Sequence, residues 1–225
     1  MMSKKCVFLV ALGVFVLGSS ADAQLLYDFE AGIANVSNGA GFGFGSTTVA
    51  HSVGVGATEG SSGSLQATAP VDDFSWMAII NVNASPANVA AFAAASANPS
   101  AYTLEFDVTL DQSTMPDWTN FVNGNVVINS EGGGFDQAPM EPWGFGGADT
   151  WGVRHAVVPF TQLEDFNATP HGGGYFELGF SINGDWGDVP GSMYIDNIRL
   201  VPEPATFVLL GLALPALALA ARRRR

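Results

Sequence analysis

Carboxylates and aromatic rings are the residues in this chain with types suited to chemistry. Of its 21 acidic residues, all but Asp22 and Glu203 fall between Gln24 and Val201, where Arg154 and Arg199 are the only cations, so that stretch carries a net charge of −17 (2 minus 19). Such a surface repels nucleic acid and anionic lipid, and it attracts divalent cations or basic partners. Paired carboxylates perform glycoside hydrolysis, but in so acidic a chain spacing alone singles out no pair. His51, His155 and His171 are too scattered for a metal motif. His155 beside Arg154, with Glu177 on another strand, is the one grouping with acid–base character. There is no Gly-x-Ser-x-Gly elbow, and the single cysteine, Cys6, lies in an apolar N-terminal segment. With no catalytic constellation, the chain is not expected to be an enzyme.

The aromatic residues suggest recognition instead. Sugars present apolar C–H faces ringed by hydroxyls, which proteins meet with exposed rings and polar side chains. Trp118, Trp143 and Trp186 stand in the polar stretches Met115–Asn120, Glu141–Phe145 and Asn183–Asp188, and are the expected ligand-binding residues. The polar face of Tyr102–Asp111, bearing Glu105 and Asp107, is a second candidate lining for a concave sheet.

Strands must position these groups. In Tyr102–Asp111, Tyr102, Leu104, Phe106, Val108 and Leu110 alternate with polar residues, the signature of a half-buried strand. Tyr175–Asn183 repeats it, with Phe176, Leu178, Phe180 and Ile182 inward. Leu25–Glu30, Thr47–Val53, Ser64–Ala69, Trp76–Val82, Asn125–Ile128, Val153–Phe160 and Met193–Val201 complete about nine strands, punctuated by Gly, Asn and Pro. One surface helix is predicted from Pro86 to Ala97. Ser85 caps it, Asn98-Pro99 stops it, and Val89, Phe92 and Ala93 form its buried stripe. The glycine-rich stretches, such as Gly54–Gly63, are loops; none has the lysine or following helix of a phosphate loop.

Both ends read as targeting segments. Lys4 and Lys5, the apolar run Val7–Leu17 and Ala21-Asp22-Ala23 form a signal peptide over residues 1–23, with the mature chain expected to begin near Gln24. At the other end, Pro202-Glu203-Pro204 precedes an apolar run from Ala205 to Ala221 and the cluster Arg222, Arg223, Arg224 and Arg225. The run is short for a span, and the arginines stay cytoplasmic. Residues 202–225 resemble the PEP-CTERM sorting signal of Gram-negative bacteria. The resemblance implies recognition and cleavage by an exosortase-type transpeptidase of the inner membrane, with transient anchoring through this C-terminal segment.

The stretch between, residues 24–201, has no cysteine and so must fold on its own core, for which it is long enough. It opens Tyr27-Asp28-Phe29-Glu30-Ala31-Gly32, continues Glu59-Gly60-Ser61-Ser62-Gly63-Ser64-Leu65 and closes Met193-Tyr194-Ile195-Asp196-Asn197-Ile198-Arg199-Leu200. These landmarks resemble galactose-binding-like jelly rolls, the fold of many carbohydrate-binding modules. The resemblance implies an all-β jelly-roll β-sandwich and a structural calcium (Ca2+) held by Glu30 and Asp196, with Asp28 as a further ligand and carbonyls of the Gly60–Ser64 turn completing it. Calcium takes such hard oxygen donors. Alternation adds that Asp196 shares a face with Tyr194, Ile198 and Leu200; a carboxylate on a core face needs a partner or a metal.

The expectation is therefore an exported protein of the cell surface or extracellular matrix. Its sandwich is non-catalytic and binds glycan or exopolysaccharide, with no nucleic-acid partner. The competing readings are a structural coat or adhesion protein without a pocket, and an extracellular polysaccharide hydrolase or lyase.

Overall fold

Period-two alternation became strand at all nine expected places. The computed structural model describes residues 23–38, 47–58, 60–68, 75–111, 122–131, 134–140, 151–163, 174–184 and 192–203. The two expected targeting segments, apart from Ala23, Pro202 and Glu203, lie outside the described residues, as do Trp118, Trp143 and Trp186. The strands are β1 (Gln24–Tyr27), β2 (Val36–Asn38), β3 (Thr48–Val53), β4 (Gly63–Thr68), β5 (Ser75–Asn81), β6 (Tyr102–Asp111), β7 (Val122–Ser130), β8 (Gly134–Pro139), β9 (Trp151–Pro159), β10 (Phe176–Gly184) and β11 (Ser192–Pro202). The two that alternation did not flag are β2, three residues long, and β8, whose sequence GFDQAP carries Gly and Pro at its ends.

They form two sheets. The first runs β3-β4-β11-β6-β9, with β1 also paired to β11; the second runs β2-β5-β10-β7-β8. β4 pairs with the first half of β11, through Ser192 to Ile195, and β1 with its second half, through Ile198 to Leu200. The apolar face of each sheet turns toward the other. Leu104, Phe106 and Val108 of β6 and Leu178 and Phe180 of β10 are all buried. Phe106 and Phe180 meet edge to face, ring centroids 4.9 Å apart at 73°, the geometry that aromatic quadrupoles prefer. The result is a jelly-roll β-sandwich.

The α-helix found among the described residues, α1 (Pro86–Ala97), has the predicted bounds. The Ser85 side chain accepts from Asn88 N–H and Pro86 occupies the first turn. Its inward residues are Asn88, Ala91, Phe92 and Ala95, with Val89 and Ala93 packed at the margin. Phe92 lies against Phe160 and Phe176, at 6.3 and 5.3 Å between centroids, so the helix closes one end of the core. Among the described residues no helix is long and apolar enough to cross a membrane.

One expectation about β11 is corrected. Met193, Ile195, Ile198 and Leu200 all belong to the core cluster, so alternation is interrupted between Ile195 and Ile198. The interruption is at Asn197, which adopts φ +50°. Asparagine tolerates this left-handed conformation better than most residues. The extra residue returns Ile198 and Leu200 to the core while leaving Tyr194 and Asp196 on the opposite face, in the manner of a β-bulge. Asp196 therefore does not share a face with Ile198 and Leu200. It is buried, with Thr58 hydrogen-bonded to it.

Candidate functional site

Two regions concentrate polar side chains. The first lies where β1 and β4 meet along β11. Glu30 accepts hydrogen bonds from the Ser61 and Ser62 hydroxyls, from Ser62 N–H at 2.7 Å and from Gly63 N–H at 3.4 Å. These donors hold its carboxyl at about 2, well below the ordinary value. Asp196, 0% exposed, accepts from Thr58 N–H and Oγ1, both 3.2 Å, and from Asn197 N–H at 2.8 Å. Burial outweighs those donors and raises its pKa. The Ser61 hydroxyl approaches Glu30 Oε1, Gly63 O at 2.9 Å and the Asp196 carboxylate. One hydroxyl proton cannot serve three acceptors, and a small cation among these oxygens would. The donors are uniformly hard oxygens, which fits calcium rather than a softer metal. Asp28 stands apart from this cluster: its Oδ1 accepts from Glu30 N–H at 3.2 Å, an Asx turn. Among the described residues no three His, Cys, Asp or Glu side chains converge on one point. Phe29, next to Glu30, has φ +52°, unusual for a bulky residue.

The junction continues along the outer face of the first sheet. Asn197 Nδ2 donates to Thr58 Oγ1 and to Asp107 Oδ2, the latter at 3.3 Å. His155 lies between Asp107, 2.9 Å from Nδ1, and Glu105, 3.0 Å from Nε2. Arg199 Nε reaches Glu105 at 3.5 Å. The polar face of β6 is thus tied into the protein itself, with Glu105 and Asp107 both engaged by neighbouring side chains. His155 likewise sits on the first sheet while Glu177 sits on the second, so the acid–base grouping of His155 with Glu177 does not form. The sequence could not reveal this, because the register that sets Asp107 opposite His155 is a long-range pairing.

The second region is the outer face of the second sheet. Register places Asn81, Glu177, Asn129 and Phe135 in one row across β5, β10, β7 and β8. The adjacent row is Ser37, Ile79, Gly179, Val127 and Gln137. At strand spacings of about 4.8 Å, the first row extends about 14 Å. Gly179, at the centre of the second row, adds no side chain to the floor. Phe135 and Tyr175 are 52% and 51% exposed, unusually open for rings of their size. A depression of about 600 Å³ opens beside Tyr175, its lining including Asn35, Asn81, Asn83 and Glu177. Asn129 Nδ2 donates to Glu177 at 3.5 Å, and partial burial raises the Glu177 pKa. Asn83 Nδ2 donates to Gly174 O, fastening the rim.

Sequence reasoning missed this face. The available signal was the recurrence of Asn125 and Asn129 at even spacing within β7, amides on the side opposite Val126 and Ile128. An exposed ring at the end of the row, Phe135, and another beside Glu177, Tyr175, together with amides and a carboxylate match the chemistry of a polyhydroxylated ligand: ring faces for C–H surfaces, amides that both donate and accept, and a carboxylate acceptor.

Comparison with known proteins adds the following. Residues 200–225 match the family model described as the PEP-CTERM protein-sorting motif. The chain carries that motif, which marks an exported, exosortase-sorted protein. No curated protein matches the sequence. Among solved structures, the chain is similar to CBM27-1 of Caldicellulosiruptor saccharolyticus, solved with mannohexaose. Identity is 14%, coverage is 83% of this chain and 100% of that one, and the TM-score is 0.50. A family 30 carbohydrate-binding module gives 10% identity, 81% and 100% coverage and a TM-score of 0.49. These structural neighbours are carbohydrate-binding modules with the jelly-roll fold.

Proposed function

We propose that this chain is a non-catalytic glycan-binding protein of the cell surface or extracellular matrix of a Gram-negative bacterium. Residues 1–23 act as signal peptide, 24–201 as the binding domain and 202–225 as the sorting signal cleaved by an inner-membrane exosortase. The observation that carries the reading is the outer face of the second sheet. There Asn81, Glu177, Asn129 and Phe135 lie in register, with the exposed ring of Tyr175 beside Glu177 at the depression. The likeness to a module solved with mannohexaose supports it through the fold. Trp118, Trp143 and Trp186 remain proposed partners for the same ligand.

A structural calcium belongs to the same proposal. Glu30, Asp196, Ser61 Oγ and Gly63 O would hold it, with Asp28 adjacent. It would neutralise two carboxylates where the first and last strands meet, contributing stability rather than chemistry.

The test is affinity of the full-length protein, purified in detergent, for a panel of neutral polysaccharides, with calcium and with chelator. Binding is expected to weaken by about two- to tenfold in Tyr175→Ala or Phe135→Ala, the range a ring contact supplies. A folded protein that binds no polysaccharide would overturn the glycan reading and leave a structural coat protein in its place. An unfolding midpoint indifferent to chelator would overturn the calcium.

A further inference from the structure

This inference rests on the glycan reading and specifies the ligand's charge. Between Gln24 and Val201 the chain has no lysine and only two arginines. Both belong to the first sheet: Arg154 on β9 and Arg199 on β11, the latter 3.5 Å from Glu105. The second sheet and every loop between its strands are therefore without a cation. An anionic polysaccharide, whether uronate or sulfated, would meet no counter-charge on this face and would approach a domain of net charge −17.

Glu177 makes the complementary demand. It is partly withdrawn from water at the edge of the depression, and it accepts from Asn129 Nδ2 at a long 3.5 Å. Removing a carboxylate from water without a counter-charge costs free energy that a ligand cation would recover. Hydroxyls of a neutral sugar satisfy Asn81 and Asn129 but leave that charge uncompensated. An ammonium compensates it through a charge-assisted hydrogen bond, roughly twice as strong as a neutral one. Tyr175 stands beside it, 51% exposed, to receive the sugar ring.

We propose that the ligand is a glycan bearing free amino groups, such as a deacetylated amino-sugar polymer, seated with an ammonium at Glu177 and a pyranose face on Tyr175.

Two oligosaccharides of one backbone separate charge from shape: the hexamer of glucosamine and the hexamer of N-acetylglucosamine. Their affinities for the full-length protein are measured by calorimetry at about physiological ionic strength, where diffuse attraction is screened beyond about 8 Å. The deacetylated hexamer is expected to bind at least about tenfold more tightly, the difference between a charged and a neutral hydrogen bond. Glu177→Gln, which keeps the shape and the Asn129 contact, is expected to bring the ratio to about one, with circular dichroism confirming the fold. Asp136→Asn, on the opposite side of β8, is expected to leave the ratio unchanged. A ratio at or below one would overturn the proposal. So would a preference that survives Glu177→Gln, because diffuse acidity would then explain it. If the acetylated hexamer or neutral polysaccharides bind without preference for the amine, the glycan reading stands and this inference falls. If a folded protein binds no glycan at all, both fall.

Discussion

Replacing Asp196 by alanine tests whether the strand junction is a structural latch. The carboxylate is fully buried and accepts from three donors, Thr58 N–H, Thr58 Oγ1 and Asn197 N–H. Deleting it leaves those donors without their acceptor. Each unsatisfied buried donor costs about 1–3 kcal/mol. Two offsets reduce the sum. The Thr58 groups lie in a loop that can turn toward water. Burial also disfavours the Asp196 charge, as its raised pKa records, so removing the charge returns part of that cost. A net loss of about 2–4 kcal/mol follows. For a domain of this size that lowers Tm by roughly 6–12 °C. Asp196→Asn keeps an acceptor for Asn197 but presents an amide donor where Thr58 donates, so it should lie between wild type and alanine. The assay is thermal unfolding followed by circular dichroism in chelator-containing buffer, with Asp28→Ala as the exposed control, expected within about 0.5 kcal/mol of wild type. If Asp196→Ala unfolds within about 2 °C of wild type, the loop is not fastened through this carboxylate and the reasoning is wrong.

Other consequences follow from the same geometry. Glu30, with its pKa depressed to about 2, contributes stability that is complete above the ordinary value of 4.5 and lost as pH falls through the window between them. In urea titrations under chelator, the gap between wild type and Glu30→Gln should therefore close from about pH 4.5 to about pH 2; a gap that stays constant would contradict the linkage. Asp196 and Glu177, both raised, act with the opposite sign, their burial penalty easing as they take up protons on acidification. Gly56 has φ +71°, and a Cβ there would collide with the Tyr194 side chain, so Gly56→Ala should cost roughly 2–4 kcal/mol in chemical unfolding. A variant as stable as wild type would mean that the loop does not lie on Tyr194. Phe92→Ala, which empties the contact between α1 and both Phe160 and Phe176, should cost about 3–5 kcal/mol and expose the helix to proteolysis. Unchanged stability would show that the helix is not part of the core.

Local pattern determined much of this protein. Alternation marked nine strands, because a two-residue period needs only neighbours in sequence to be seen. Ser85, Pro86 and Asn98 bounded α1 for the same reason: capping is satisfied within a few residues. The sorting motif at 200–225 is linear and was readable in full, and the scarcity of cations in the domain is a property of composition alone. Alternation also had its limits. It missed β2 and β8, where Gly, Pro and shortness erase the period, and it put Asp196 on the wrong face because a single residue at φ +50° reverses parity and leaves no mark in the pattern. Which polar groups pair with which was a matter of tertiary structure. Glu105 and Asp107 looked free on a polar strand face, yet registry with β9 and β11 gives them His155, Asn197 and Arg199 as partners. Asn81, Glu177, Asn129 and Phe135 are scattered along the chain, and only hydrogen bonding among β5, β10, β7 and β8 draws them into one row. A sheet face is assembled from side chains one strand spacing apart in space and tens of residues apart in sequence, so the chain carries its ingredients and folding alone composes the surface.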